Sequence, residues 1–311
     1  MWALGTERGV AMQGGYFATA WVDIKQSPKW FGKVMVLALL GVIPVFGQIV
    51  LCGYALGWAR DIAWNVRTPL PARVLGNEDG KLYSRGFFAL VIAVVCALAP
   101  WVVIGVWSAV VGAGSSWGSR HGFAVPFFSL IPLAFLAVSV AVTLAASLVY
   151  LVGSVRMAVY GRLSAGLQIG RIWTMLRHDF TGALRVLGML VLLTVVIEAV
   201  FVAVAFAVLG GCGVILGLTV SLLQAAGGAG AVAAFVPAAL MLWLLALVGT
   251  GVLYMASSAF VTLMTARAMG YWVRQFDVPA WRGQDDPLPF EAGYAAAAAA
   301  APGASASGEG R

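Results

Sequence analysis

The chain has 311 residues, a formal net charge of +7, 62% hydrophobic residues, only 10% charged residues and a mean hydropathy of +0.95. A soluble domain carries about 25% charged residues, so a water-facing surface is excluded and the chain is an integral membrane protein. Two histidines and three widely spaced cysteines (Cys52, Cys96 and Cys212) exclude a disulfide framework, a CxxC metal site and a His-based metal cluster. The basic residues stand at segment junctions, where a membrane protein needs topological anchors, so the excess charge implies no nucleic-acid partner.

Residues 1–15 are mixed and Gly-rich and read as a flexible N-terminus. No uninterrupted apolar core occurs in residues 1–33, so no cleavable leader is expected. Phe17, Ala20, Trp21 and Ile24 share one helical face. They predict an amphipathic helix in the membrane plane, with Thr19, Asp23 and Gln26 toward water. The alternative for this segment is a short helix packed on the loops.

The first apolar run, Val34–Ala59, holds Pro44, Gly47 and Gln48 at its middle. Proline removes a backbone donor and clashes with the preceding turn, so this first membrane segment should be broken. A re-entrant hairpin puts both its ends on one side; the alternative is a kinked span with the N-terminus outside. Helical crossing needs about 20 apolar residues, and Gly86–Val111, Pro126–Val155, Val186–Leu209 and Phe235–Ala266 supply them. Gly213–Ala226 is too short to span comfortably and reads as a re-entrant or interfacial element. The glycines at 112–118 and 227–230 read as loop glycines without a phosphate-binding context. A β-barrel would need short alternating segments, and these runs are unbroken. Residues 277–311, with DDPLPF and seven alanines, cannot bury a core and read as a disordered tail. The fold expected is all-α and polytopic, one helical membrane domain over 16–276.

The connecting segments sort by charge. Arg60, Arg67, Arg73, Lys81 and Arg85 follow the first segment, and Arg156, Arg162, Arg171, Arg177 and Arg185 follow the third. Arg267, Arg274, Arg282 and Arg311 lie toward the C-terminus, whereas 112–125 has only Arg120 and 210–234 has no basic residue. The basic loops and the C-terminus should therefore be cytoplasmic in a multi-pass protein of the plasma membrane.

A shift of 152 residues overlays Phe17, Ala20, Trp21 and Ile24 on Ile169, Ile172, Trp173 and Leu176. It also maps Lys25 on Arg177 and Lys33 on Arg185, which suggests a duplication with halves 16–158 and 159–276. In the second amphipathic segment Trp173, with Arg162, Arg171 and Arg177 around it, is a candidate contact with the lipid surface.

The stretch from Ile43 to Ala93 resembles the membrane proteins catalogued as domain of unknown function 4013. The elements that carry the resemblance are Pro44, Gly53-Tyr54, Arg60, Leu70-Pro71, Glu78-Asp79, and Gly86 after Tyr83. Tyr160–Ala165, leading to Arg177–Phe180, is similar to the family's second amphipathic stretch, and the resemblance extends over about residues 15–275. One departure is Ala72-Arg73, where the family tends to carry an aromatic residue, and it bears on loop conformation rather than on membership. The resemblance implies an architecture and supplies no catalytic residues.

Glu198 is the one ionisable residue within Val186–Leu209. A carboxyl at the bilayer centre costs at least about 2.5 kcal/mol, so it should face the bundle with a partner or stay protonated. Gln48 is the partner the 152-residue shift favours, since it places Glu198 opposite Phe46; another Gln, a Tyr or a backbone carbonyl would also serve. The carboxylates Asp61, Glu78 and Asp79 lie among Arg60, Arg73 and Lys81, as in a solvated loop. With no catalytic constellation in view, no cofactor and no enzymatic activity are expected. The expected role is a non-enzymatic membrane module that scaffolds or assists another membrane or envelope protein, with membrane lipids as the other partners. The alternative is a small transporter or channel using the broken first segment and Glu198; a lipid-acting enzyme fits least.

Overall fold

The computed structural model of the protein describes residues 15–64, 68–76, 80–121, 130–226 and 228–275. Every regular element among them is helical: α1 (Gly15–Gln26), α2 (Trp30–Gly41), α3 (Phe46–Ala63), α4 (Leu82–His121), α5 (Leu130–Tyr160), α6 (Leu163–Gly166), α7 (Ile169–His178), α8 (Phe180–Ala225) and α9 (Ala229–Arg274). Four helices are long and apolar enough to cross a membrane: α4, α5, α8 and α9. The chain is thus a polytopic helical membrane protein. The N-terminus to Gly14, Glu78, Asp79 and the 277–311 tail lie outside the described residues.

The first apolar run is broken where Pro44 predicts. Val42 ends α2, and Val45, with a positive φ of 64° rare for a β-branched side chain, precedes α3. The turn is tight enough that a Cβ on Gly47 would strike the Leu40 carbonyl. The two arms then run side by side. Lys33 Nζ, on α2, donates to the Leu70 carbonyl at 2.8 Å, and Tyr54 Oη, on α3, donates to the Pro71 carbonyl at 2.9 Å. Both ends of the broken segment therefore meet at the same loop. This is the geometry of a re-entrant hairpin, and the apolar side chains at its apex (Val42, Ile43, Val45) are exposed for lipid.

From that end, here called the base, α4 leaves and α5 returns, then α8 leaves and α9 returns. The core sits at the base, where α1, α3 and α7 pack with the near ends of the four spans; Trp58, Trp272, Ile24, Leu37 and Met175 are among its fully buried side chains. Away from the base the spans bury little: the most apolar stretches of α8 and α9 have no residue buried inside the protein.

Three expectations require correction. Gly213–Ala226 is the last part of α8 and not a separate re-entrant element, and α4 likewise runs through the 112–118 glycines. In lipid every backbone group must be bonded internally, which favours an uninterrupted helix over a glycine break. At 1.5 Å per residue α8 is about 69 Å long, too long to stand upright in a hydrocarbon core of about 30 Å. The 152-residue shift lays α1 on α7, both helical, but does not match the spans: it overlays α4, which leaves the base, on α9, which returns to it. The re-entrant hairpin occupies a place in the first half that the full span α8 takes in the second.

Candidate functional site

The base is built around the loop at 68–71, whose carbonyls are bonded by side chains from several helices. Besides Lys33 and Tyr54, Trp58 Nε1 donates to the Thr68 carbonyl at 2.9 Å, and the Leu70 amide donates to Ser27 Oγ at 2.9 Å. The small residues of the same stretch let helices meet closely. A Cβ on Gly53 would strike the Leu82 carbonyl, and one on Gly86 the Ile49 carbonyl. Gly53-Tyr54, Leu70-Pro71 and Gly86 are thus parts of one joint between α3, the loop and α4.

Arg267, 1% exposed, ties α9 into this joint. Its Nε lies 2.7 Å from Asp23 Oδ2, its Nη1 donates to the Trp58 carbonyl at 3.0 Å, and its guanidinium stacks over the Trp58 ring at 4.3 Å. Tyr271 Oη donates to the same Asp23 oxygen at 2.7 Å. A guanidinium held by a carboxylate, a carbonyl and an aromatic face satisfies the conditions for burying a charge. Arg156, also buried, donates from Nε to the Ala165 carbonyl and from Nη2 to Gln168 Oε1, both at 3.0 Å.

Asp179 joins the start of α8 to the end of α9. It caps α8 by accepting from the Gly182 amide at 2.9 Å, and accepts from Trp272 Nε1 at 3.0 Å and Gln275 Nε2 at 2.6 Å. Burial raises its pKa, but these hydrogen bonds and the Arg185 charge outweigh burial and leave the carboxyl below its ordinary value.

The two amphipathic helices behave differently. In α1 Phe17, Ala20 and Ile24 are buried inside the protein, and Trp21 packs edge-on against Phe260 of α9, ring centroids 5.3 Å apart. Its apolar face therefore meets protein and not the acyl boundary, and Asp23 faces Arg267 rather than water. In α7 only Ile172, Met175 and Leu176 are buried; Trp173 is 57% and Ile169 69% exposed. Arg162, Arg171 and Arg177 are exposed beside them.

Glu198 has a protein partner, and it is not Gln48. Tyr254 of α9 donates to Glu198 Oε1 at 2.6 Å across the α8–α9 hairpin, while Gln48 is exposed near the start of α3. Phe201 packs on the Tyr254 ring at 4.6 Å. The pair is polar, half-buried and closed on itself.

Sequence reasoning missed Asp23–Arg267, Lys33–Leu70 and Asp179–Trp272, each joining residues distant in sequence. Among the described residues no three of His, Cys, Asp or Glu stand close enough to hold a metal. A family model described as "Protein of unknown function (DUF4013)" matches residues 36–209, more than half of the chain. No curated protein and no solved structure matches it.

Proposed function

The chain therefore belongs to the family described as protein of unknown function DUF4013, and on that premise we propose that it is a non-enzymatic scaffold of the plasma membrane. In this reading the basic base lies in the cytoplasm. The α4–α5 and α8–α9 hairpins offer their flanks to the spans of another membrane or envelope protein. The observation that carries the reading is the exposure along the spans: Val195, Val200, Leu245 and Val248 are all largely exposed, on two hairpins that are paired within themselves but touch one another little. A molecule that worked alone would be expected to pack its two hairpins on one another. Charge supports that side for the base, since every described basic residue except Arg120 lies at or near it, and cytoplasmic loops carry the excess of Lys and Arg.

A transporter working through Gln48 and Glu198 has less support, because Glu198 is bonded to Tyr254 rather than aligned with Gln48. Photo-crosslinking in intact cells tests the scaffold. A benzophenone side chain at Val195, Val200, Leu245 or Val248 should yield one discrete protein adduct, from positions sharing a helix face. Adducts with lipid alone at all four positions would refute it.

A further inference from the structure

Glu198 and Tyr254 hydrogen-bond to each other and to nothing else among the described residues, yet the pair is chemically incomplete. Tyr254 Oη gives its single proton to Glu198 Oε1 at 2.6 Å. Glu198 Oε2 receives no hydrogen bond among the described residues and lies open at the protein surface. The carboxyl is also deep. Glu198 stands thirteen residues beyond Arg185, and Tyr254 thirteen before Arg267. That places the pair about 20 Å along each helix from its last basic residue, within a hydrocarbon core about 30 Å thick. Val195 and Val202, one turn to either side on α8, are 58% and 47% exposed. A carboxyl is thus presented on an apolar surface that water does not reach, and a residue so placed needs a partner.

The base shows what completes such a pair. There Tyr271 Oη donates to Asp23 Oδ2 at 2.7 Å, as Tyr254 does to Glu198, and Arg267, one turn before Tyr271, brings a positive charge to the same oxygen. One turn before Tyr254 stands Thr250, whose hydroxyl is spent on the Ala246 carbonyl. A carboxylate already holding one donor lacks a counter-charge, so the missing member is a cation. Gly86–Val111, Pro126–Val155, Val186–Leu209 and Phe235–Ala266 contain no Lys or Arg. Neither this chain nor a second copy of it therefore supplies the cation at that depth. We propose that the open side of Glu198 is the contact for a span of a different membrane protein, one that carries an arginine or lysine near its centre. The inference rests on the scaffold reading and names the chemistry of the partner's span. Pairing relieves both sides, because a basic residue alone at the centre of a span is as costly as a carboxyl alone.

The probe is a synthetic Leu/Ala span of about 20 residues with one central lysine, compared with the same span lacking it. Both are added to phosphatidylcholine vesicles holding the full chain. Binding is read by energy transfer from a dye on the peptide to one at Ala226→Cys, with Cys52, Cys96 and Cys212 replaced. The chain with Glu198 should bind the lysine span at least about tenfold better than the plain one. Glu198→Gln should abolish that preference, Glu198→Asp should keep most of it, and Glu198→Lys should transfer it to a span with a central glutamate. Equal binding of the two spans, or a preference that survives Glu198→Gln, would overturn the proposal. Crosslinking in cells separates this from the scaffold reading, with the benzophenone at Val195, one turn from Glu198. The protein adduct should weaken in Glu198→Gln. An adduct of undiminished yield would overturn the role of Glu198 and leave the scaffold standing; lipid adducts alone would refute the scaffold and this partner with it.

Discussion

Lys33 and Tyr54 stand on opposite arms of the broken first segment, yet they donate to the carbonyls of adjacent residues, Leu70 and Pro71. Two positions placed nearly symmetrically about the break at 42–45 can reach one loop only if the chain has turned back on itself. The bonds thereby fix which end of the segment lies where. They also explain why a Gly-Tyr, a Leu-Pro and an aromatic-Gly belong together: they are the contact points of one joint.

That joint predicts an ordering among glycine substitutions. Gly53→Ala and Gly86→Ala would drive a methyl into the Leu82 and Ile49 carbonyls, at about 1–3 kcal/mol each. Gly105→Ala and Gly249→Ala face open space within α4 and α9 and should be neutral or mildly stabilising. Thermal melts of the four variants in detergent read the difference directly.

Arg267 is nearly inaccessible and its partner Asp23 one-fifth exposed, at 1% and 20% of the side chain. Asp23→Ala leaves a buried guanidinium without its counter-charge and should cost about 3 kcal/mol. Arg267→Met removes the charge while keeping much of the apolar bulk beside Trp58, so it should cost less than Asp23→Ala. Equal losses in thermal melts would mean that the charge is not what the base must satisfy.

The helices and the break at Pro44 were legible in sequence, from apolar runs and one proline. A Tyr was among the partners open to Glu198, but the 152-residue shift favoured Gln48 over it. Glu198 and Tyr254 lie equally far from the turn near 226–228, so they face each other once α8 is continuous. Ending the span at Leu209 and starting a separate element at Gly213 removes that symmetry. The burial of α1 was not legible either, because Phe17, Ala20 and Ile24 present the same stripe to a membrane or to a protein. What decides is the α9 surface around Phe260, far away in sequence.

The Glu198–Tyr254 bond makes its own prediction. Glu198→Gln keeps an acceptor and should leave the melting temperature nearly unchanged. Glu198→Leu strands the Tyr254 hydroxyl and should cost about 1–3 kcal/mol. Tyr254→Phe together with Glu198→Leu should recover part of that loss, and a fully additive double variant would show that the two do not interact.

Asp179 gives a pH dependence with a definite sign. Its folded pKa lies below the ordinary aspartate value. The stability it contributes is therefore present above that ordinary value, about 3.9, and is lost as pH falls through the folded one. Wild type should lose melting temperature on acidification below about pH 4, and Asp179→Asn, which can still cap α8, should lose less over the same interval. Parallel curves would refute the role given to the carboxylate.

The central claim is that a re-entrant first segment and four spans place α1, the 68–76 loop and α7 on one side of the membrane. Single cysteines at Lys25, Arg73, Thr174 and Ala226, in a background lacking Cys52, Cys96 and Cys212, test it by reaction with an impermeant maleimide in intact cells and inverted vesicles. The account predicts labelling of positions 25, 73 and 174 only from the cytoplasmic face and of position 226 only from the outer face. Labelling of positions 25 and 73 from opposite faces would contradict it.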